Sequence, residues 1–140
     1  MQNRPSVTVK LILRHRDKVL MIKHKDGTFG FPGGHVECEE SLFGALKREV
    51  KEELGYDLKT EPELFDVWNY IPKENPGMKT KDHTIFLNYI LKLGKKPNLV
   101  SPEKLGIFWL TRKEIESVKI IKDKIFLDKV FNPLKIINLS

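Results

Sequence analysis

Hydrophobic and polar positions along the 140-residue chain fall into two periods. Residues 6–14, SVTVKLILR, alternate β-branched and polar side chains and read as a strand. Residues 17–25, DKVLMIKHK, read as the next strand, and the short connection at 14–18 makes the two a hairpin. Residues 26–34, DGTFGFPGG, are rich in turn formers, with room for a short strand at 29–31. ELFDVWNYI (63–71), HTIFLNYILKL (83–93) and GIFWL (106–110) read as further strands.

Residues 41–54 change to the helical period. Ser41 suits the N-cap and Gly55 the stop just beyond the helix. On a wheel at 100° per residue, Leu42, Phe43, Leu46, Val50 and Leu54 share an arc of roughly 120° that faces the core. Lys47 and Lys51 lie opposite. Thr111 and Glu114 have capping-box spacing for a helix beginning near Arg112. KDKIFLDKVFNPLKII (122–137) reads as a last helix, packed through Ile125, Phe126, Val130 and Leu134 and ended or kinked at Pro133. The polar segment 72–82, PKENPGMKTKD, reads either as a functional loop, as loops of this length in compact domains often are, or as plain disorder. Strands with interspersed helices make a mixed α/β domain, and we expect one domain over residues 1–140.

Composition narrows the class. Hydrophobic residues make up 40% and charged residues 31%, a globular balance. One cysteine, Cys38, rules out an internal disulfide, which fits a reducing, cytoplasmic setting. The start, MQNRPSVTVK, has no apolar run of signal-peptide length, and no stretch approaches the roughly 18 apolar residues of a membrane helix. Net charge is +6. The lysines are scattered rather than blocked together, so a soluble basic surface is favoured over a dedicated nucleic-acid face.

The helix at 41–54 carries an arrangement that stability alone disfavours. Glu49, Glu52 and Glu53 stand at i, i+3 and i+4, where like charges repel, near a helix end whose backbone is already negative. Glu49 and Glu52 flank the apolar stripe, and Glu53 falls inside its edge. Partly desolvated carboxylates need a positive partner, and Arg48 alone does not neutralise three. Hard divalent cations bind such oxygens, magnesium often with substrate phosphates in the remaining positions. Gly33 and Gly34, just upstream, let backbone approach a ligand closely, and a glycine turn feeding a helix aims N–H groups at an anion.

The stretch from Gly34 to Tyr56 resembles the Nudix box, G-x5-E-x7-R-E-U-x-E-E-x-G-U, where U is bulky and aliphatic. Gly34, Glu40, Arg48-Glu49-Val50, Glu52-Glu53 and Gly55 match it. Tyr56 departs from it, being aromatic. Phe29-Gly30-Phe31-Pro32-Gly33-Gly34 is similar to the family's lead-in. The resemblance implies the Nudix fold, a mixed β-sheet sandwiched between α-helices with a loop–helix–loop catalytic motif. It implies hydrolysis of a nucleoside diphosphate linked to another moiety, with magnesium, or manganese as a substitute. Glu49, Glu52 and Glu53 match the metal-binding glutamates and the Gly33 carbonyl matches the backbone ligand. Arg48 is expected to orient Glu37, Glu40 or Glu49, and Glu40 to support the loop. Glu103, six residues before Trp109, is a candidate further ligand or base; the base stays open among Glu52, Glu49 and Glu103.

Substrate contacts are sought in Gly34, in Lys23, His24 and Lys25, in His35, and in the aromatic rings of Phe29, Trp68, Tyr70 and Trp109. Pro72, Tyr70 and Pro76-Gly77 give conflicting hints between ADP-ribose and dinucleoside-polyphosphate hydrolases. The substrate expected first is a free nucleotide, either a nucleoside triphosphate, oxidised or not, or a nucleoside diphosphate conjugate. The same chemistry on capped RNA, and a catalytically silent nucleotide-binding module, are the alternatives. The expected partner is a small nucleotide rather than a membrane, and homodimers are common in the family.

Overall fold

In the computed structural model, which describes residues 4–74, 82–121 and 123–132, the first strand β1 (Ser6–His15) lies at the centre. Its alternation sends Val9, Leu11 and Leu13 to one face and Ile12 to the other, and both faces are covered. β2 (Lys18–Lys23) turns back from β1 through Arg16, whose φ is 55°. β3 (Phe29–Gly30) pairs with the end of β2.

A strand that the sequence pattern did not suggest follows. β4 (Gly33–His35) pairs antiparallel with the start of β1. A Cβ on Gly33 would stand 2.0 Å from the Val9 carbonyl oxygen, and its φ is +145°. The glycine therefore serves the close approach of two strands, which the turn-rich composition had concealed.

α1 (Leu42–Leu54) runs between the expected caps. The Ser41 hydroxyl accepts from the Gly44 N–H, and Gly55, at φ 68°, donates its N–H to the Lys51 carbonyl. Ala45, Leu46, Val50 and Leu54 pack on Val9, Leu11, Leu13, Leu20 and Ile22. Leu42, in the first turn, leaves the expected core face and is 41% exposed.

β5 (Glu63–Tyr70) and β6 (Thr84–Lys92) form the antiparallel pair at the other edge. β6 runs parallel to β1 along nine register pairs, from Ser6–Thr84 to Arg14–Lys92. β7 (Gly106–Thr111) pairs with β2. The expected capping box forms: the Thr111 side chain accepts from the Glu114 N–H, Glu114 bonds back, and α2 (Arg112–Ser117) follows. α3 (Lys124–Phe131) ends at Asn132, and Ile125, expected in the core, is 70% exposed. Leu127, Val130 and Phe131 are its buried face, so the helix is rotated from the expected one. Leu134, like Pro76-Gly77, lies outside the described residues. With α1 on one face and α2 and α3 on the other, the mixed sheet is sandwiched between helices.

Candidate active site

The buried end of α1 meets β4. Glu53 is 8% exposed, and its Oε1 accepts the Gly33 N–H at 2.8 Å. Desolvation pushes its carboxyl up to about 7; the Gly33 bond and the Lys10 ammonium oppose this, and the charges of Glu49 and Glu103 add to it. Lys10 sits opposite Gly33 in the β1–β4 ladder and donates to the Phe31 carbonyl at 3.3 Å. Burial lowers its pKa, against the pull of Glu53 and Glu49.

Arg48 ties the loop to the helix. Its Nε and Nη2 donate to the two Glu40 oxygens at 2.7 and 2.9 Å, and its Nη1 donates to Glu49 at 2.8 Å. Nη2 also reaches the His35 carbonyl at 3.0 Å. Glu52 and Glu37 stand farther off, at 3.7 and 3.8 Å. The Arg48 bond is the main reason that Glu40 is held down at about 2, well below the ordinary carboxylate range. Glu40 in turn accepts the Glu37 N–H at 3.0 Å and so shapes the loop. Gly34 packs against Glu49: a Cβ there would fall 2.5 Å from that carboxylate.

Glu103 is exposed on the segment between β6 and β7, yet Glu53 feels its charge. Gly55 allows the approach, because a Cβ there would meet the Val100 carbonyl oxygen at 2.7 Å and the Pro102 ring at 3.6 Å. The candidate ligands thus gather around the C-terminal half of α1, β4 and this segment. Among the described residues no three acidic, histidine or cysteine side chains converge into a ready-made metal cage. Glu49 is instead drawn to Arg48, and Glu52 is half in solvent, with its side chain 48% exposed. The donor chemistry nonetheless suits a hard cation: a buried carboxyl with further acidic charges near it is short of positive charge.

Beside this cluster, on the α3 side of the sheet, lies an open cleft of about 1040 Å³. Gly34, His35, His24 and Phe29 line it, as does Lys10. Lys23 does not; its ammonium lies 5.6 Å from the Phe29 ring centre at the exposed end of β2. Trp109 belongs to the opposite, α1 side of the sheet, where it meets His15 edge-on. Trp68 does face the cleft, and Phe86 stacks on it at 5.4 Å. Lys10, Asp66 and Asn88 also line the cleft and went unrecognised in the sequence. Their positions share the polar phase of alternating strands, which reads as a solvent face when the far side of a cleft is not known.

A model of the NUDIX domain matches residues 2–131. The chain is 33% identical over 128 residues to an ADP-ribose pyrophosphatase of Methanocaldococcus jannaschii, spanning 85% of this chain and 72% of that protein. A MutT protein from Methanosarcina mazei Go1 superposes with a TM-score of 0.67 at 17% identity, over 100% of both chains. A bifunctional NMN adenylyltransferase/ADP ribose pyrophosphatase from Francisella tularensis, complexed with AMP and a Mn ion, gives 0.63 at 22% identity over 82% of this chain. This chain spans 36% of that larger protein. At these identities the two structures share the fold.

Proposed function

The chain belongs to the Nudix family, and from that premise we propose that it hydrolyses the diphosphate linkage of a nucleotide conjugate, with ADP-ribose the first substrate to test, at a divalent-cation site on α1. The buried Glu53, bonded to Gly33 and crowded by Glu49 and Glu103, carries this reading. Glu49, Glu52, Glu53, Glu103 and the Gly33 carbonyl are the groups that would hold magnesium or manganese. A bound cation supplies charge neutralisation at phosphate and a water of lowered pKa.

The chain's own residues do the rest. Water attacks one phosphorus, the bridging P–O bond breaks, and the leaving phosphate keeps the bond's electrons. The water's proton passes to a carboxylate, Glu52, Glu49 or Glu103. Lys10, on the boundary between cleft and carboxylates, places its side-chain amine, a hydrogen-bond donor, where the diphosphate would lie. Arg48 holds Glu49 and the loop in place. ADP-ribose takes first place because the curated likeness that spans 85% of this chain is to an enzyme of that name.

The test is a screen with product identification. It covers ADP-ribose, dinucleoside polyphosphates, ordinary and oxidised nucleoside triphosphates and capped RNA, each with magnesium or manganese. Two phosphorylated products are expected from a diphosphate conjugate. Glu52→Gln and Glu53→Gln, run in parallel, should lower kcat by about 100-fold or more in at least one variant with the fold intact. Unchanged turnover in both would refute the site. No turnover of any substrate by the parent chain would point to a silent binding module.

A further inference from the structure

The register of β1, β6 and β5 lays two rows of side chains across the cleft floor. Lys10 pairs with Asn88, and Asn88 with Asp66; Thr8 pairs with Phe86, and Phe86 with Trp68. All six line the cleft. The first row is polar and begins beside Glu53. The second carries the stacked pair of Phe86 and Trp68, whose planes differ by 24°. Trp68 is 40% exposed and stands open to a ligand.

A bulge builds the far end of the polar row. The β5–β6 ladder is irregular between Leu64 and Asp66. Phe65 packs toward Phe126 of α3 at 6.0 Å, while Asp66 faces the cleft. Bulges of this kind re-aim side chains beside functional sites. Buried Asn88 donates its Nδ2 to Asp66 Oδ2 at 3.1 Å, and Lys129 donates to Asp66 Oδ1 at 3.3 Å. Because an ionised carboxylate only accepts, the amide nitrogen of Asn88 must face it. Asn88 Oδ1 then has no partner among the described residues. The far end of the row is therefore rich in acceptors, beside an aromatic platform of two rings.

The complement of that surface is a flat bicyclic ring with a hydrogen-bond donor at its edge. We propose that Asp66 and Asn88 select the base, and that the cleft takes a purine bearing an exocyclic amino group, seated on Trp68 and Phe86. This rests on the nucleotide reading above. The diphosphate lies at the Lys10 end, and the base lies along the row toward Asp66. The amino group is that of adenine or of guanine, and the test separates them.

Binding of AMP, GMP and IMP is measured by calorimetry, beside turnover of the parent substrate. IMP lacks the amino group. AMP or GMP should bind at least about tenfold more tightly than IMP, and the tighter of the two identifies the base. Asn88→Leu and Asp66→Asn should bring the ratio to within about twofold. Trp68→Ala should weaken all three ligands by a common factor and keep the ratio. If either buried variant fails to melt cooperatively, Lys129→Gln, at the cleft rim, should narrow the ratio by releasing Asp66. Equal binding of all three by the parent chain, or an unchanged ratio in the folded variants, overturns the proposal. Hydrolysis that persists with unaltered selectivity defeats base selection alone; selective binding with no hydrolysis defeats the reaction alone.

Discussion

Burial holds the Glu53 carboxyl near 7, against an ordinary 4.5, with Glu49 and Glu103 pushing the same way. Between those two values the folded chain keeps a proton that the unfolded chain has released, so stability of the metal-free protein falls as pH rises through the window. The full difference corresponds to at most about 3 kcal/mol. Glu53→Gln can keep the Gly33 hydrogen bond without the charge. In chelator at pH 8 it should melt several degrees higher than the parent, and its melting temperature should vary less between pH 5 and 8. A parent chain that gains stability across that range would contradict the assignment. The glycines give a second contrast. Gly33→Ala drives a Cβ into the Val9 carbonyl, whereas the nearest atoms to a Cβ at Gly34→Ala belong to the Glu49 side chain. We expect the first to unfold or displace β4, seen as a large loss of melting temperature. The second should fold and lose turnover, since it moves a carboxylate of the proposed metal site. The carboxylate helix was legible because its cost is local; the strand contact that requires Gly33 was not, because Val9 lies on a distant strand. Lys10, Asp66 and Asn88 were not, because their burial depends on strands brought together from distant parts of the chain.

α1 was read from the sequence almost residue for residue, since Ser41, Gly55 and the apolar stripe all act within a few turns. Ser41→Ala should cost about 1 kcal/mol by chemical denaturation, with turnover per folded molecule little changed. The clamp from Arg48 to Glu40 binds the loop to this helix. Because Glu40 is depressed to about 2, its contribution is present above the ordinary carboxylate value and is lost as pH falls toward 2. Glu40→Gln should therefore destabilise the chain at pH 6, with the gap to the parent closing in acid, as thermal melts across pH would show. β4 was hidden by its composition, two glycines and a histidine. α3 stops at Asn132, immediately before Pro133, the residue expected to end or kink it. The parallel register of β1 with β6 joins residues 78 positions apart and has no local signature.

At the scale of the molecule, the sheet separates two features. α1 and its carboxylates cover one face, and the cleft opens on the other, with β4 at the boundary. Among the described residues no helix is long and apolar enough to cross a membrane. The net charge of +6 is spread over the chain, so single-stranded RNA should not be retained at moderate salt; retention with a steep salt dependence would favour the capped-RNA substrate. The central claim is that the acidic end of α1 binds a divalent cation. Titration of manganese(II) followed by electron paramagnetic resonance, at pH 7.5 without nucleotide, tests it most directly. The parent chain should take up the ion, and Glu53→Gln and Glu52→Gln should each weaken uptake by about tenfold or more. Equal uptake by all three proteins, or none by the parent, would contradict the account.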